Sequence, residues 1–295
     1  MDRKTTTSLV LLILSMCLIS FSSTLSQASP ANVIQIALVL DGSTSISAED
    51  WTLILSGVAS AILNNLPHDG TVEITVIQFA SNIWGNASVV IPPTVISSDA
   101  VAESVANQVN STAQGYGYTP MAHGLYLAWQ MIKSSPNFDP EGGQIINIAT
   151  DGVPNVRNYN ATTDLDGDGD VDAYDDVIAV VNTAVSEGLD ELDMEGIAIS
   201  EDAVNWFRNH VLYPQPGHIA PPYIPGWLRA VANAEEFAQT VGEKFKVIIE
   251  RYTPVGGVVI VEKDASIDLT SSITLASAVI SVSYTHLTLP TICSV

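Results

Sequence analysis

The sequence predicts an α/β fold, a doubly wound, mainly parallel sheet with helices on both faces and one short antiparallel edge strand. Three observations carry that expectation. Largely apolar runs at 33–40, 72–79 and 144–149 lack the alternation of a half-exposed strand, as expected of strands covered on both sides. Amphipathic stretches separate them and are long enough to serve as crossover helices between parallel neighbours. Short loops rich in Asp, Ser and Thr follow two of these strands, at the end of an open sheet where such folds bind ligands.

In order, residues 33–40 form the first strand and 48–65 the first helix, with Trp51, Ile54, Leu55, Val58, Ile62 and Leu66 on one side. Pro67-His68-Asp69-Gly70 stops that helix. After the strand at 72–79, a shorter one at 88–91 ends at Pro92-Pro93, which places it at a sheet edge. Ser98 is suited to cap a helix over 99–110, and a further helix covers 121–134. A strand at 144–149 follows, and residues 155–173 then leave the alternation. It resumes with a helix at 175–187, a strand at 194–199 and a helix at 202–209. Residues 214–225 hold five prolines and read as a rigid loop, 227–231 as the last strand and 234–251 as the closing helix. No period of about 20 to 50 residues recurs, which excludes a repeat architecture.

The chain has 295 residues, 47% of them hydrophobic, so it can bury a core and is not mostly disordered. Its formal net charge of −22 excludes nucleic acid and anionic membrane surfaces as partners, and the excess acid reads as a soluble exported surface. Arg3 and Lys4, the apolar run 9–21 and Ser26-Gln27-Ala28 predict a secretory signal over 1–28; the alternative is an uncleaved anchor, for which the run is short. Residues 29–253 are expected to form the domain, and 254–282 to be the incomplete start of a β module or membrane anchor. Residues 283–295 resemble the translated read-through of a sequencing-library adapter and are expected to be an artefact. Of the two cysteines, Cys17 then belongs to the leader and Cys293 to the artefact, leaving a domain held without disulfides.

The chemistry begins at the end of the first strand, where Asp41, Ser43 and Ser45 alternate around Gly42. Clustered oxygen donors suit a hard cation such as Mg²⁺; the alternative for the same residues is helix capping and turn chemistry. This DxSxS pattern resembles the metal-ion-dependent adhesion site of von Willebrand factor type A domains. GYGYTPMAHGL, with Thr119 before a helix, and IINIATDGVPN, with Asp151 after a buried strand, match the family's other two metal loops in order. The resemblance spans about 32–251 and implies Mg²⁺ or Mn²⁺ held by the hydroxyls of Ser43, Ser45 and Thr119. It further implies that Asp41 acts directly or through water, and Asp151 mostly through water. A partner's carboxylate would take the remaining position, so the implied function is binding or adhesion to a protein or glycan. Tyr116 and Tyr118 are placed to flank the incoming group, or simply to pack. The ending IPGWLRAVANAEEFAQTVGEKF is similar to exported bacterial single-domain type A proteins of unknown function.

A second motif, DLDGDGDVDAYD, puts Asp164, Asp166, Asp168, Asp170, Asp172 and Asp175 at positions 1, 3, 5, 7, 9 and 12 of an EF-hand-type loop, with Gly169 at 6. It predicts a structural Ca²⁺ site beside the adhesion site, weakened by Asp in place of the usual Glu at its last position; the alternative is a solvated acidic loop. The pattern occurs once, which argues against a dockerin. Enzyme signatures are missing: there is no GxSxG, P-loop lysine or GxGxxG, and Ser43 stands where an aspartyl phosphotransferase needs a second acid. The competing readings are a structural envelope protein stabilised by metals and, behind it, a metal-dependent hydrolase. His123 reads as packed or exposed rather than as a ligand, and Asn86, Asn110 and Asn160 fit a glycosylation acceptor that matters only in a glycosylating pathway.

Overall fold

Seven strands and six helices occur among the described residues, 33–80 and 86–253, of this computed structural model. In chain order they are β1 (Ile34–Asp41), α1 (Ala48–Asn65), β2 (Val72–Phe79), β3 (Ala87–Val95), α2 (Asp99–Asn110), α3 (Met121–Ser134), β4 (Gly143–Thr150), α4 (Ala173–Ser186), β5 (Glu191–Ile197), α5 (Glu201–His210), β6 (His218–Ile219), β7 (Trp227–Val231) and α6 (Ala234–Tyr252). The leader, the 254–282 segment and the terminal 283–295 lie outside the described residues.

The strands make one sheet in the order β3-β2-β1-β4-β5-β7-β6, parallel throughout except for β2 with β3. From β1 the chain builds outward through β2 to β3, then crosses back to β4 on the other side of β1. The order therefore reverses between β1 and β4, and the crevice at their carboxyl ends is the place where an open α/β sheet takes a ligand.

Period-two alternation sorts the central strands onto two cores. Ile34, Ile36, Leu38 and Leu40 of β1 pack with α1, α2 and α6, whereas Ala37 and Val39 pack with α3 and α4 on the opposite face. All eight residues of each of β1, β2 and β4 are buried, which is why the sequence reads as unbroken apolar runs there. Ser98 caps α2 as expected, accepting the Val101 N–H.

Three elements differ from the sequence expectation. The antiparallel edge strand is nine residues rather than a short piece and continues through Pro92-Pro93 to Val95. Its pairing with β2 is irregular around Val76, and an edge strand tolerates prolines where no ladder bond is needed. The proline-rich 214–225 loop contains a two-residue strand, β6, beside β7. The strand expected at 194–199 begins earlier, at Glu191, because its acidic residues are interior.

That last difference exposes a buried polar layer. Leu192 and Met194 join one core, while Glu191, Asp193 and Glu195, alternating with them, are all buried beneath the other face. Lys244 of α6, 2% exposed, donates to Glu195 Oε2 at 2.7 Å and also to Asn147 Oδ1. Arg251 and the Tyr252 hydroxyl bond Glu191, and Asp193 Oδ1 accepts the Gly226 and Trp227 N–H groups at 2.9 and 3.0 Å. Burial pushes the Asp193 carboxyl well up from its ordinary value, with the neighbouring Glu191 adding to the shift. Burial also raises Glu195 and lowers Lys244, each opposed by the attraction of the other. Removing one partner of such a pair strands a charge in the interior. Lys244→Ala is expected to lower the unfolding free energy by about 3–5 kcal/mol, measured by urea unfolding; a loss below about 1 kcal/mol would show that the pair does not hold α6 to the sheet.

Candidate metal centre

Asp41, the last residue of β1, is 1% exposed. Its Oδ1 accepts the Ser43 N–H at 2.9 Å and its Oδ2 accepts the Thr150 hydroxyl at 2.6 Å. Above it, the Ser43 and Ser45 hydroxyls share a hydrogen bond of 2.9 Å, and Ser45 donates to Asp151 Oδ1 at 2.9 Å. Four of the five residues expected at the adhesion site thus form one connected set. Capping is the work of a different residue: Ser47 accepts the Asp50 N–H at the start of α1, so neither Ser43 nor Ser45 is consumed as its cap.

Thr119, 5% exposed, reaches the set through its loop. The Thr119 N–H donates to Asn155 Oδ1 at 2.8 Å, beyond Asp151. On the other side Thr44 N–H donates to Gly117 O at 3.0 Å, and Tyr116 N–H to Gly42 O at 2.9 Å. Two glutamines brace this junction. Gln114 Nε2 donates to Ser43 O and Ile46 O, and Gln78 of β2 bonds both Ala113 O and the Gly115 N–H. A Cβ at Gly42 would stand 2.3 Å from Gln78 Oε1, so the turn after Asp41 admits only glycine while Gln78 holds its place. Tyr116, at φ 56, and Tyr118 are about half exposed on the rim.

The sequence reading missed Gln78, Gln114, Thr150 and Asn155. Gln78 carried a signal, a polar side chain at the end of its strand beside Asp41, whereas the strand's other polar residues, Glu73 and Thr75, lie toward its start. His123 is half-buried, and its Nδ1 accepts the Ala87 N–H at 2.7 Å and so anchors the edge strand to α3.

Electrostatically the set is acidic and without countercharge. Burial pushes Asp41 up to about 6 despite its hydrogen bonds from Ser43 and Thr150, and nearby Asp151 adds to the rise. Burial likewise raises Asp151, with Ser45 opposing. Among the described residues neither carboxylate has a Lys, Arg or His partner.

The acidic loop sits between the Asp151 loop and α4. Carboxylate oxygens of Asp164, Asp166 and Asp168 lie within 4.8 Å of one another, and so do those of Asp168, Asp170 and Asp172. Asp164 accepts the Gly167 and Gly169 N–H groups at 2.7 and 3.0 Å, and Gly169 takes φ +106 at the turn, as its position predicts. Repulsion from Asp168 leads the causes that raise Asp170. Asp175 differs from the others: it is fully buried, accepts the Leu165 and Asp172 N–H groups, and belongs to neither carboxylate group. With Asp172 it forms a reciprocal cap on α4. Beside it Asp176, also buried, accepts N–H groups of Asn158, Tyr159 and Ala161. Burial alone would raise Asp176, but those donors and Arg157 hold it below its ordinary value.

A doubly wound sheet with this oxygen-rich crevice at its reversal point defines the class as a type A α/β domain. The sequence model of the von Willebrand factor type A domain matches residues 35–210, and the chain belongs to that family. In overall fold it is similar to the pilus adhesin SpaC from Lactobacillus rhamnosus GG in its open conformation, with TM-score 0.58 and 15% identity over 76% of this chain and 31% of that one. It is also similar to proximal thread matrix protein 1 from the mussel byssus, with TM-score 0.50 and 14% identity over 73% of this chain and 47% of that one. The chain thus spans a third to a half of the length of those proteins. No curated protein matches its sequence significantly.

The raised Asp41 sets a pH dependence. Its folded form holds a proton up to about pH 6, whereas the unfolded chain releases it near 3.8, so the cation-free fold loses stability as pH rises between those values. In EDTA the unfolding free energy is expected to fall by an amount on the order of 3 kcal/mol over that window. Urea unfolding at stepped pH checks it as the difference in slope between the wild type and Asp41→Asn, because the raised Asp151, Asp193 and Glu195 contribute a slope of the same sign to both.

Proposed function

We propose that the chain is a metal-dependent binding module that engages an acidic group of a protein or glycan through Mg²⁺ or Mn²⁺. The observation that carries this reading is the linked set Asp151–Ser45–Ser43 over the buried Asp41, held by three loops and, among the described residues, without a basic partner. An all-oxygen, net negative donor set fits a hard divalent cation and not a soft one. Ser43, Ser45 and Thr119 would hold the ion through hydroxyls. Both oxygens of Asp41 already accept hydrogen bonds, which suits it to orient Ser43 and balance charge, and Asp151, half-buried at the rim, would act through water or directly. When bound, the cation supplies a Lewis-acidic position for a carboxylate oxygen of the partner. Ser45 does donate to a carboxylate, Asp151, but both are assigned to the cation, which leaves no nucleophile with a base of its own, so binding is favoured over catalysis.

The acidic loop is proposed as a structural Ca²⁺ site formed by Asp164, Asp166, Asp168, Asp170 and Asp172, with Asp175 bracing the loop from inside. The convergence of the outer carboxylates supports this assignment, and the Asp175 hydrogen bonds support its inner role. The protein is proposed to act outside the cytoplasm, which the leader-like residues 1–28 support. Among the described residues no helix is long and apolar enough to cross a membrane.

A ligand bound only by the native state stabilises it by RT ln(1 + [L]/Kd), about 2.7 kcal/mol at a hundredfold excess over Kd. Thermal unfolding in EDTA, Mg²⁺, Mn²⁺ and Ca²⁺ is expected to show Ser43→Ala abolishing the Mg²⁺ shift and sparing the Ca²⁺ shift, and Asp168→Ala the reverse. A wild-type protein with no Mg²⁺ or Mn²⁺ response at millimolar concentration would leave the structural envelope reading in its place.

A further inference from the structure

Beside the proposed cation site, a cleft of about 460 Å³ opens at the carboxyl ends of β4 and β5. Asp151 forms one edge and Asp202, at the start of α5, another; Tyr174, Trp206 and Ile199 form much of the wall. Its volume falls in the range of small-molecule sites. The two aromatic rings meet edge to face, with centroids 4.6 Å apart, which fixes their orientation. Trp206 Nε1–H is itself buried, with no acceptor among the described residues, so the ring and not its N–H is what this residue offers the cleft. The loop between β5 and α5 is held there at a backbone cost: Ala198, also in the lining, takes φ 52, and its N–H is tied to Val231 O at 2.8 Å. A non-glycine residue in the left-handed region persists where the surroundings fix it, and such residues cluster at binding sites.

The chemistry of this wall narrows the occupant. Aromatic and aliphatic surface calls for an apolar face, and two carboxylates call for donors. Among the described residues no Lys, Arg or His lines the cleft, so a second anionic group finds no countercharge from them. A pyranose ring meets both demands, with a C–H face for the aromatic wall and hydroxyls that donate to the carboxylates. We propose that this cleft is a sugar-binding subsite, and that the partner is a glycan whose acidic residue places its carboxylate at the cation and its ring against Tyr174 and Trp206. This rests on the cation reading for the carboxylate only; the ring contacts are independent of any metal.

The test uses the full chain with methyl glucuronoside, methyl glucoside and acetate as probes, in millimolar Mg²⁺ and in EDTA, read by affinity and by the Trp206 indole N–H resonance. In Mg²⁺ the glucuronoside is expected to bind about tenfold or more tightly than acetate and to shift that resonance. Tyr174→Ala, Trp206→Ala and the exposed-site variant Asp202→Asn should each weaken glucuronoside several-fold to about tenfold and leave acetate unchanged. Equal affinities for glucuronoside and acetate, or variants without effect, would overturn the subsite and leave the cation reading standing. If no carboxylate binds in Mg²⁺, the cation reading fails, and methyl glucoside in EDTA decides the cleft alone: a shifted Trp206 resonance supports it and an unshifted one overturns it. If an Asp-Arg or Asp-Lys dipeptide displaces the glucuronoside and depends on Trp206, the cleft takes a basic side chain and the sugar assignment is wrong.

Discussion

The arrangement depends on one costly act, the burial of the Asp41 carboxylate at the end of a strand that is apolar from Ile36 to Leu40. A carboxylate removed from water must be hydrogen-bonded, paired or protonated. Here its two oxygens are met by the Ser43 N–H and the Thr150 hydroxyl, and each donor fixes a different loop. Bonding Ser43 turns the chain sharply enough to bring Ser45 back toward Asp151. Bonding Thr150 ties the ends of the adjacent parallel strands β1 and β4 at the point where sheet order reverses. Gln78 and Gly42 then lock the turn, because the space a Cβ would need is filled by the glutamine. The loops therefore converge through the satisfaction of one interior charge.

The sequence made the central fold legible because the residues that build it are uniform in character. Buried apolar runs and amphipathic helices announced β1, β2, β4 and α1 to within a residue or two. Asp41, Ser43, Ser45 and Asp151 were readable since each stands directly after such a run. Gln78, Gln114 and Asn155 were not, because their meaning lies in partners distant along the chain: Gln78 reaches Gly115, Gln114 reaches Ser43, and Asn155 reaches Thr119. Local pattern contains no trace of such pairings. The start of β5 was missed for a different reason, since Glu191 and Asp193 look like surface residues until Arg251, Tyr252 and the Gly226 and Trp227 N–H groups are found beneath them.

That miss bears on the meaning of the net charge. Reading the excess acid as a solvated surface holds only in part, because Asp41, Glu73, Asp175, Asp176, Glu191, Asp193 and Glu195 are all buried while Lys244 is the one buried Lys or Arg among the described residues. Among the described residues only Asp176, Glu191 and Glu195 of these carboxylates have a Lys or Arg partner. Neutral donors serve the rest and supplement Arg157 at Asp176. Glu73 is met by Gln35, Ser135 and Asn137, Asp175 by two backbone N–H groups, and Asp176 by three. Neutral donors are directional, so every such carboxylate also specifies a loop conformation, as Asp176 does for 158–161 and Asp175 for the ends of the acidic loop.

The same logic separates structural acids from those available to a ligand. An interior carboxylate whose two oxygens both receive N–H or O–H groups has its geometry fixed and its charge spread over fixed dipoles. Asp151 and the outer carboxylates of the acidic loop stand at the surface with fewer such donors, and in the loop they crowd one another. Crowding of like charge with few compensating donors stores repulsion that a divalent cation relieves most effectively, because one ion neutralises two charges at once. Tyr174 lies between the capping pair Asp172 and Asp175, and Asp172 accepts its N–H at 2.7 Å. The aromatic wall of the cleft is thereby anchored by the acids that close the loop, and the order of that loop and the shape of the cleft are parts of one hydrogen-bonded structure.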